Sequence, residues 1–252
     1  MGWLLFLLVV LVGYGFGVGL TLIIRRFQFG HPDDDAIAGI KLTGIYTVFA
    51  VILGFVVFSS WQFYLDASDS VRQEAASLSV INRSARALPP AIGEPVVKAL
   101  AEYIIAASDS EWASQKAHVG IEAGRDALQN LNNIVTQLPA SSSESVSNAQ
   151  DNMMYYIGQI ETSRADRVFF AEDADPSFVW ALLAFGGLMT VLFSATLHFK
   201  SKATHLQLVG SLSAIIAASL FCVYALNNPF SGPFPVKPQP LKIALESIQT
   251  TN

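Results

Sequence analysis

The stretch Val51–Trp61, VILGFVVFSSW, carries no charged residue, yet after four more residues the chain reads DASDSVRQEAASLSVINRSARALPP over Asp66–Pro90. The first stretch suits lipid and the second suits water. No Gly or Pro separates them: from Phe55 to Leu88 nothing forces a break in a helix. Reading outward, the absence of proline extends back to Asp35. The spacing predicts one rod from Asp35 to Leu88, roughly 80 Å long at 1.5 Å per residue, more than twice a bilayer core. Such a rod couples a membrane part mechanically to an extramembrane part.

Composition agrees with a membrane chain. Of 252 residues, 14% are charged and 52% hydrophobic, whereas a soluble domain has about 25% charged residues. Four runs account for the shortage: Trp3–Ile24, Leu42–Leu65, Ser177–Leu197 and Leu206–Leu226 contain no Asp, Glu, Lys or Arg. Each is long enough to span as a helix, which takes roughly 20 apolar residues. The first run lacks a basic start and a small-residue cleavage site, so it reads as a retained span and not as a signal peptide. A net charge of −5 offers no basic face for nucleic acid. Cys222 stands alone within the fourth run and can form no intrachain disulfide.

The expected fold is all-α and integral to the membrane, with two transmembrane hairpins flanking an extramembrane helical bundle. Residues 1–65 form the first hairpin (spans about 3–24 and 42–65) and residues 66–175 the bundle. Residues 176–226 form the second hairpin (spans about 177–197 and 206–226), and 227–252 a proline-rich hook with a short amphipathic helix. The middle holds 8 Lys and Arg against 16 Asp and Glu, and no strand signal. Val71, Ala75, Leu78, Asn82, Ala85 and Leu88 recur on one helical face, which Pro89 and Pro90 end. Val146, Ala149, Met153, Tyr156, Ile160, Ser163, Arg167 and Phe170 make a second, longer stripe suited to lengthwise packing. Residues 94–112 and 121–138 read as two shorter helices, giving a bundle of four. Leu241, Ala244, Leu245 and Ile248 form the apolar face of the terminal helix, which docks on the bundle or lies at the membrane surface.

No nucleotide loop, zinc motif, nucleophile elbow or CxxC pair is present, so an enzyme is not expected, nor a cofactor. The one cluster of metal-ligand type, His31–Asp35 (HPDDD), reads better as a helix start, where Pro and acidic residues suit the positive end of the dipole. No metal site is assigned. The spans lack the deep ionisable groups of pumps and coupled transporters. They carry small-residue faces instead: Gly13/Gly17 and Gly15/Gly19, Thr43/Thr47/Ala50/Gly54, Gly187/Thr190/Ser194 and Gly210/Ala214/Ala217. These faces suit close helix packing. Thr47, Val51 and Phe55, four residues apart, are the candidate lining of an apolar pore, since hydrophobic constrictions gate by dewetting. In the bundle Glu74, Arg83, Glu111, Trp112, Arg164 and Arg167 fall on or beside apolar stripes. They suit either an ion vestibule or structural ion pairs that fix helix register.

These residues resemble a family. The run ILGFVVFSSWQFYLDASDSVRQEAASLSVINRSARALP, Tyr103 with Glu111-Trp112, Arg164 with Arg167, DPSFVW and NNPFSGPFPVKPQPLKIAL match the four-span bestrophin-like membrane proteins from about residue 40 to residue 248. One departure is NNPF, where that family more often has an acidic residue. Similarity to true bestrophins is more distant and rests on the two-hairpin plan and on VILGFVV, which looks like their neck helix. It implies a pentameric anion channel with Phe55 and Val51 at the neck, and Thr47 in place of a bulkier apolar residue. It also implies a bundle in the cytoplasm, whereas Arg25, Arg26, Lys200 and Lys202 in the hairpin turns place the bundle outside by the positive-inside rule.

The expected function is therefore an oligomeric ion channel. Its pore is lined by the second span and its vestibule is formed by the bundle. Its partners are copies of itself, with a pentamer as the candidate assembly, the lipid bilayer and ions, in a bacterial inner membrane. The competing reading is a membrane-anchored sensor or scaffold whose bundle binds a partner or ligand without conduction.

Overall fold

The computed structural model describes residues 2–27, 35–117, 123–138, 144–172, 177–197 and 199–250. Among the described residues every regular element is helical. The order is α1 (Gly2–Phe27), α2 (Asp35–Arg86), α3 (Pro90–Ile105), a π-turn (Ala106–Glu111) and α4 (Trp112–Ala117). There follow α5 (Ala123–Thr136), α6 (Glu144–Glu172), α7 (Ser177–Thr196), α8 (Lys202–Leu226) and α9 (Gln239–Gln249). Among the described residues four helices are long and apolar enough to cross a membrane: α1, α2 from Thr43, α7 from Phe178 and α8. His31–Asp34 of the HPDDD cluster, residues 139–143, His118, His198 and Pro176 lie outside the described residues, and Asp35 is the first residue of α2.

The chain divides into two units. The first comprises Met1–Phe63, Asp175–Asn228 and Gly232–Phe234; the second comprises Tyr64–Ala174, Pro229–Ser231 and Pro235–Asn252. Helix α2 belongs to both and is unbroken for 52 residues.

In the first unit α1 packs along α8, with α7 against both. Glycine permits the approach: a Cβ on Gly17 would lie 2.7 Å from the Ser213 side chain and from the Val209 carbonyl. Gly13 meets Ala217 and Ser213 in the same way, and Gly210 meets Tyr14. Gly15 and Gly19 face open space, so of the two glycine pairs on α1 only Gly13/Gly17 is a packing seam. Phe49 of α2 is buried against Gly186 and Gly187 of α7. A polar tie crosses four helices where α8 begins. Arg25 Nη1 lies 3.0 Å from His205 Nδ1, His205 Nε2 lies 3.2 Å from the Ser194 carbonyl, and Tyr46 Oη lies 2.8 Å from Ser194 Oγ. A guanidinium only donates, so Nδ1 accepts and Nε2–H donates to the carbonyl. Stacking on Phe199 covers the imidazole.

The second unit is a helical bundle. Its core joins Val71, Leu78 and Ile81 of α2 to Leu100 and Ile104 of α3, Leu131 and Val135 of α5, and Met153, Ile157 and Ile160 of α6. Pro89 and Pro90 do end α2, and Pro90 also opens α3 at the first helical position, where its missing N–H costs nothing. Helix α9 packs on α3 and buries Leu241, Ala244 and Ile248, so the terminal helix docks on the bundle. The hook before it turns through two backbone bonds, Gly232 N–H to the Asn228 carbonyl at 2.8 Å and Val236 N–H to the Pro229 carbonyl at 2.7 Å. A side chain at position 232 would press on that Asn228 carbonyl, so glycine is required there.

Candidate functional site

The residues singled out from the sequence form two groups, one in each unit: the first lies on α2, and the second is drawn from α2, the π-turn, α4 and α6. In the first unit the helix buries Phe49 and turns its other side outward. Val51 is 53% exposed and Phe55 71%, and Phe58 continues the same surface. A Cβ on Gly54 or Gly44 would touch nothing. The Thr47 hydroxyl is satisfied within the helix, donating to the Thr43 carbonyl at 2.8 Å. Thr47, Val51 and Phe55 thus form an apolar strip at membrane depth with no polar group left to satisfy, pointing away from the protomer's own helices.

In the second unit, four of the six charged or aromatic candidates meet Tyr103 in a buried ion network. Arg167 of α6 has no exposed surface. Its Nε donates to Glu74 Oε2 of α2 at 2.8 Å, and its Nη2 donates to Glu111 Oε1 at 2.8 Å. Arg164, one turn earlier, donates to Glu111 Oε2 through Nη2 at 2.9 Å and through Nε at 3.2 Å. The Tyr103 hydroxyl of α3 donates to Glu74 Oε1 at 2.6 Å. Two carboxylates thus face two guanidiniums, and the group is neutral as a whole. A fifth candidate, Trp112, covers it: the Arg167 guanidinium carbon lies 5.5 Å from the indole centre, and Phe230 of the hook meets the same indole edge-on at 5.4 Å.

Local backbone explains why Glu111 reaches the network. The π-turn Ala106–Glu111 adds a residue to one helical turn and rotates Glu111 inward beside Ala107 and Ser108. Gly124, at the start of α5, abuts the Glu111 carboxylate so closely that any side chain there would displace it. That sets the carboxylate beside the first turn of α5. Burial alone would push the Arg167 guanidinium down, but Glu74, Tyr103 and Glu111 more than reverse this, so it stays charged throughout the accessible range. Burial, and then the Glu74 charge, raise the Tyr103 phenol well above its ordinary range.

Arg83, the sixth candidate, is not brought to this network; it is exposed. Tyr103, Gly124 and Phe230 are members that the periodic reading did not select. Tyr103 was visible as a polar-tipped aromatic on an apolar face, but nothing in the sequence marked Gly124. Among the described residues no group of three or more His, Cys, Asp or Glu is placed to hold a metal ion.

Comparison with known proteins follows the same lines. A Bestrophin-like domain matches residues 11–241. No curated protein is similar enough to match. Among solved structures, a point variant of a bacterial bestrophin homologue from Klebsiella pneumoniae superposes with a TM-score of 0.71 at 14% identity, covering 96% of this chain and 98% of that one. Another variant of that homologue gives a TM-score of 0.69 at 12% identity, covering 97% and 96%. A further structure, described as a membrane protein, gives 0.65 at 14% identity, covering 96% of each chain. At such identities the likeness establishes the fold. With the domain match extending over most of the sequence, this integral membrane protein belongs to the Bestrophin-like family.

Proposed function

We propose that the protein is an ion channel in which copies of the chain, five by analogy with bestrophins, surround an axis with the Thr47–Val51–Phe55 strip of α2 turned toward it. The bundle supplies the vestibule. The carrying observation is that strip: an apolar face of a long helix, exposed in the protomer and free of unsatisfied polar groups. Phe55 and Val51 form the constriction, which opens by wetting. Glu74, Glu111, Arg164 and Arg167 are paired to one another, so in this reading they set the positions of α2 and α6 and do not bind permeant ions. The test is reconstitution of the purified oligomer into planar bilayers under several ions and voltages. Currents absent from protein-free membranes, raised in Phe55→Ser, are expected. Silence under all conditions would remove conduction and leave an anchored sensor or scaffold.

A further inference from the structure

Within the first unit an apolar groove of about 480 Å³ lies between α1, α7 and α8. Leu8, Val12 and Phe16 of α1 form one wall, and Ala184 and Leu188 of α7 the other. Gly13 and Ala217 make the floor, and their small size is what makes it concave. Among the described residues the single polar side chain along it is Ser213, itself 4% exposed.

What fills this groove follows from its depth and chemistry. It occupies the middle portion of three helices that span the membrane, out of reach of a soluble partner. Water needs two to four polar partners to stay in a cavity, and one buried hydroxyl does not supply them. The rim is continuous with the lipid-facing surface, since Val12 is 63% exposed and Leu188 46%. Apart from that hydroxyl the groove is lined by aliphatic and aromatic side chains and glycine, the surface that a hydrocarbon chain matches.

We propose that the groove retains one acyl chain of a bilayer phospholipid per protomer, as a resident ligand distinct from exchanging bulk lipid. The site is independent of conduction, so its test stands whether or not the protein passes ions. The purified protein is examined by native mass spectrometry, with phospholipids extracted and quantified. One phospholipid per protomer is expected to persist in the wild type and to fall at least five-fold in Ala184→Phe, which fills the groove from an exposed position. Val12→Trp, filling it from the opposite wall, gives the same loss, while Ala181→Phe, outside the groove on the same helix, retains lipid. No phospholipid on the wild type, detergent in its place, or equal retention in Ala184→Phe and Ala181→Phe overturns the proposal. So does near-complete disulfide linkage of copies through Val12→Cys in a Cys222→Ala background, which would show a second copy seated there.

Discussion

Glu74 and Arg167 are each fully buried, and each is tolerable only because the other is present. Removing one partner of such a pair leaves a charge in a low-dielectric interior, at a cost of about 3–5 kcal/mol. Glu74→Gln is therefore expected to destabilise the protein by that order in thermal unfolding. Replacing Glu74 and Arg167 together by Leu should cost less than the two single changes summed, because the double change leaves no orphan charge on that side. Equal, additive losses would mean that the pair is not coupled. Tyr103 gives a pH signature. In the unfolded chain its phenol ionises near its ordinary value of 10, whereas burial and Glu74 keep the native phenol protonated well above this. The unfolded state then binds fewer protons, so stability present below pH 10 is lost as pH rises past it. Between about pH 9 and pH 11 the melting temperature of wild type should fall more than that of Tyr103→Phe. Parallel falls would deny the native phenol this environment.

Elements show where the sequence was legible and where it was not. Val71, Ala75, Leu78 and Ala85 lie on the buried face of α2 and Leu88 is buried just past its end, as the 3.6-residue period indicates, whereas Asn82 of the same stripe is only half-buried and Ile81 beside it enters the core. Glu74, Glu111, Arg164 and Arg167 stood out as charges on apolar faces, yet their pairing was hidden. Glu111 arrives through a π-turn, and the added residue shifts the face that a regular period would assign. Arg83 illustrates the converse: nine positions beyond Glu74, at about 100° each, put it half a turn round the helix, toward solvent. The seam of α1 against α8 could not be told from the Gly15/Gly19 side by spacing alone, since both pairs have the same period and only the partner helix distinguishes them. The uninterrupted helix itself is testable. Gln62 is exposed, so Gln62→Ala removes little, while Gln62→Pro deletes a helical hydrogen bond and costs about 3 kcal/mol or more. If α2 acts as one rod, Gln62→Pro abolishes currents that Gln62→Ala preserves; equal currents would mean that continuity at that point is dispensable.

At the scale of the whole molecule, membership of the Bestrophin-like family and the superposition on a bacterial bestrophin homologue establish the architecture. The proposed conduction depends on which surface of that architecture faces the axis. The measurement that bears on this most directly is thiol modification during bilayer recording, with Phe55→Cys in a Cys222→Ala background. That background removes the one native thiol, which is exposed. A charged, water-soluble thiol reagent should reach position 55 only if an aqueous path wets it. The account expects the Phe55→Cys current to change several-fold on modification while the Cys222→Ala parent is unaffected. A robust current indifferent to modification at position 55, or no current from either protein, would contradict the claim that this face of α2 lines a conduction path.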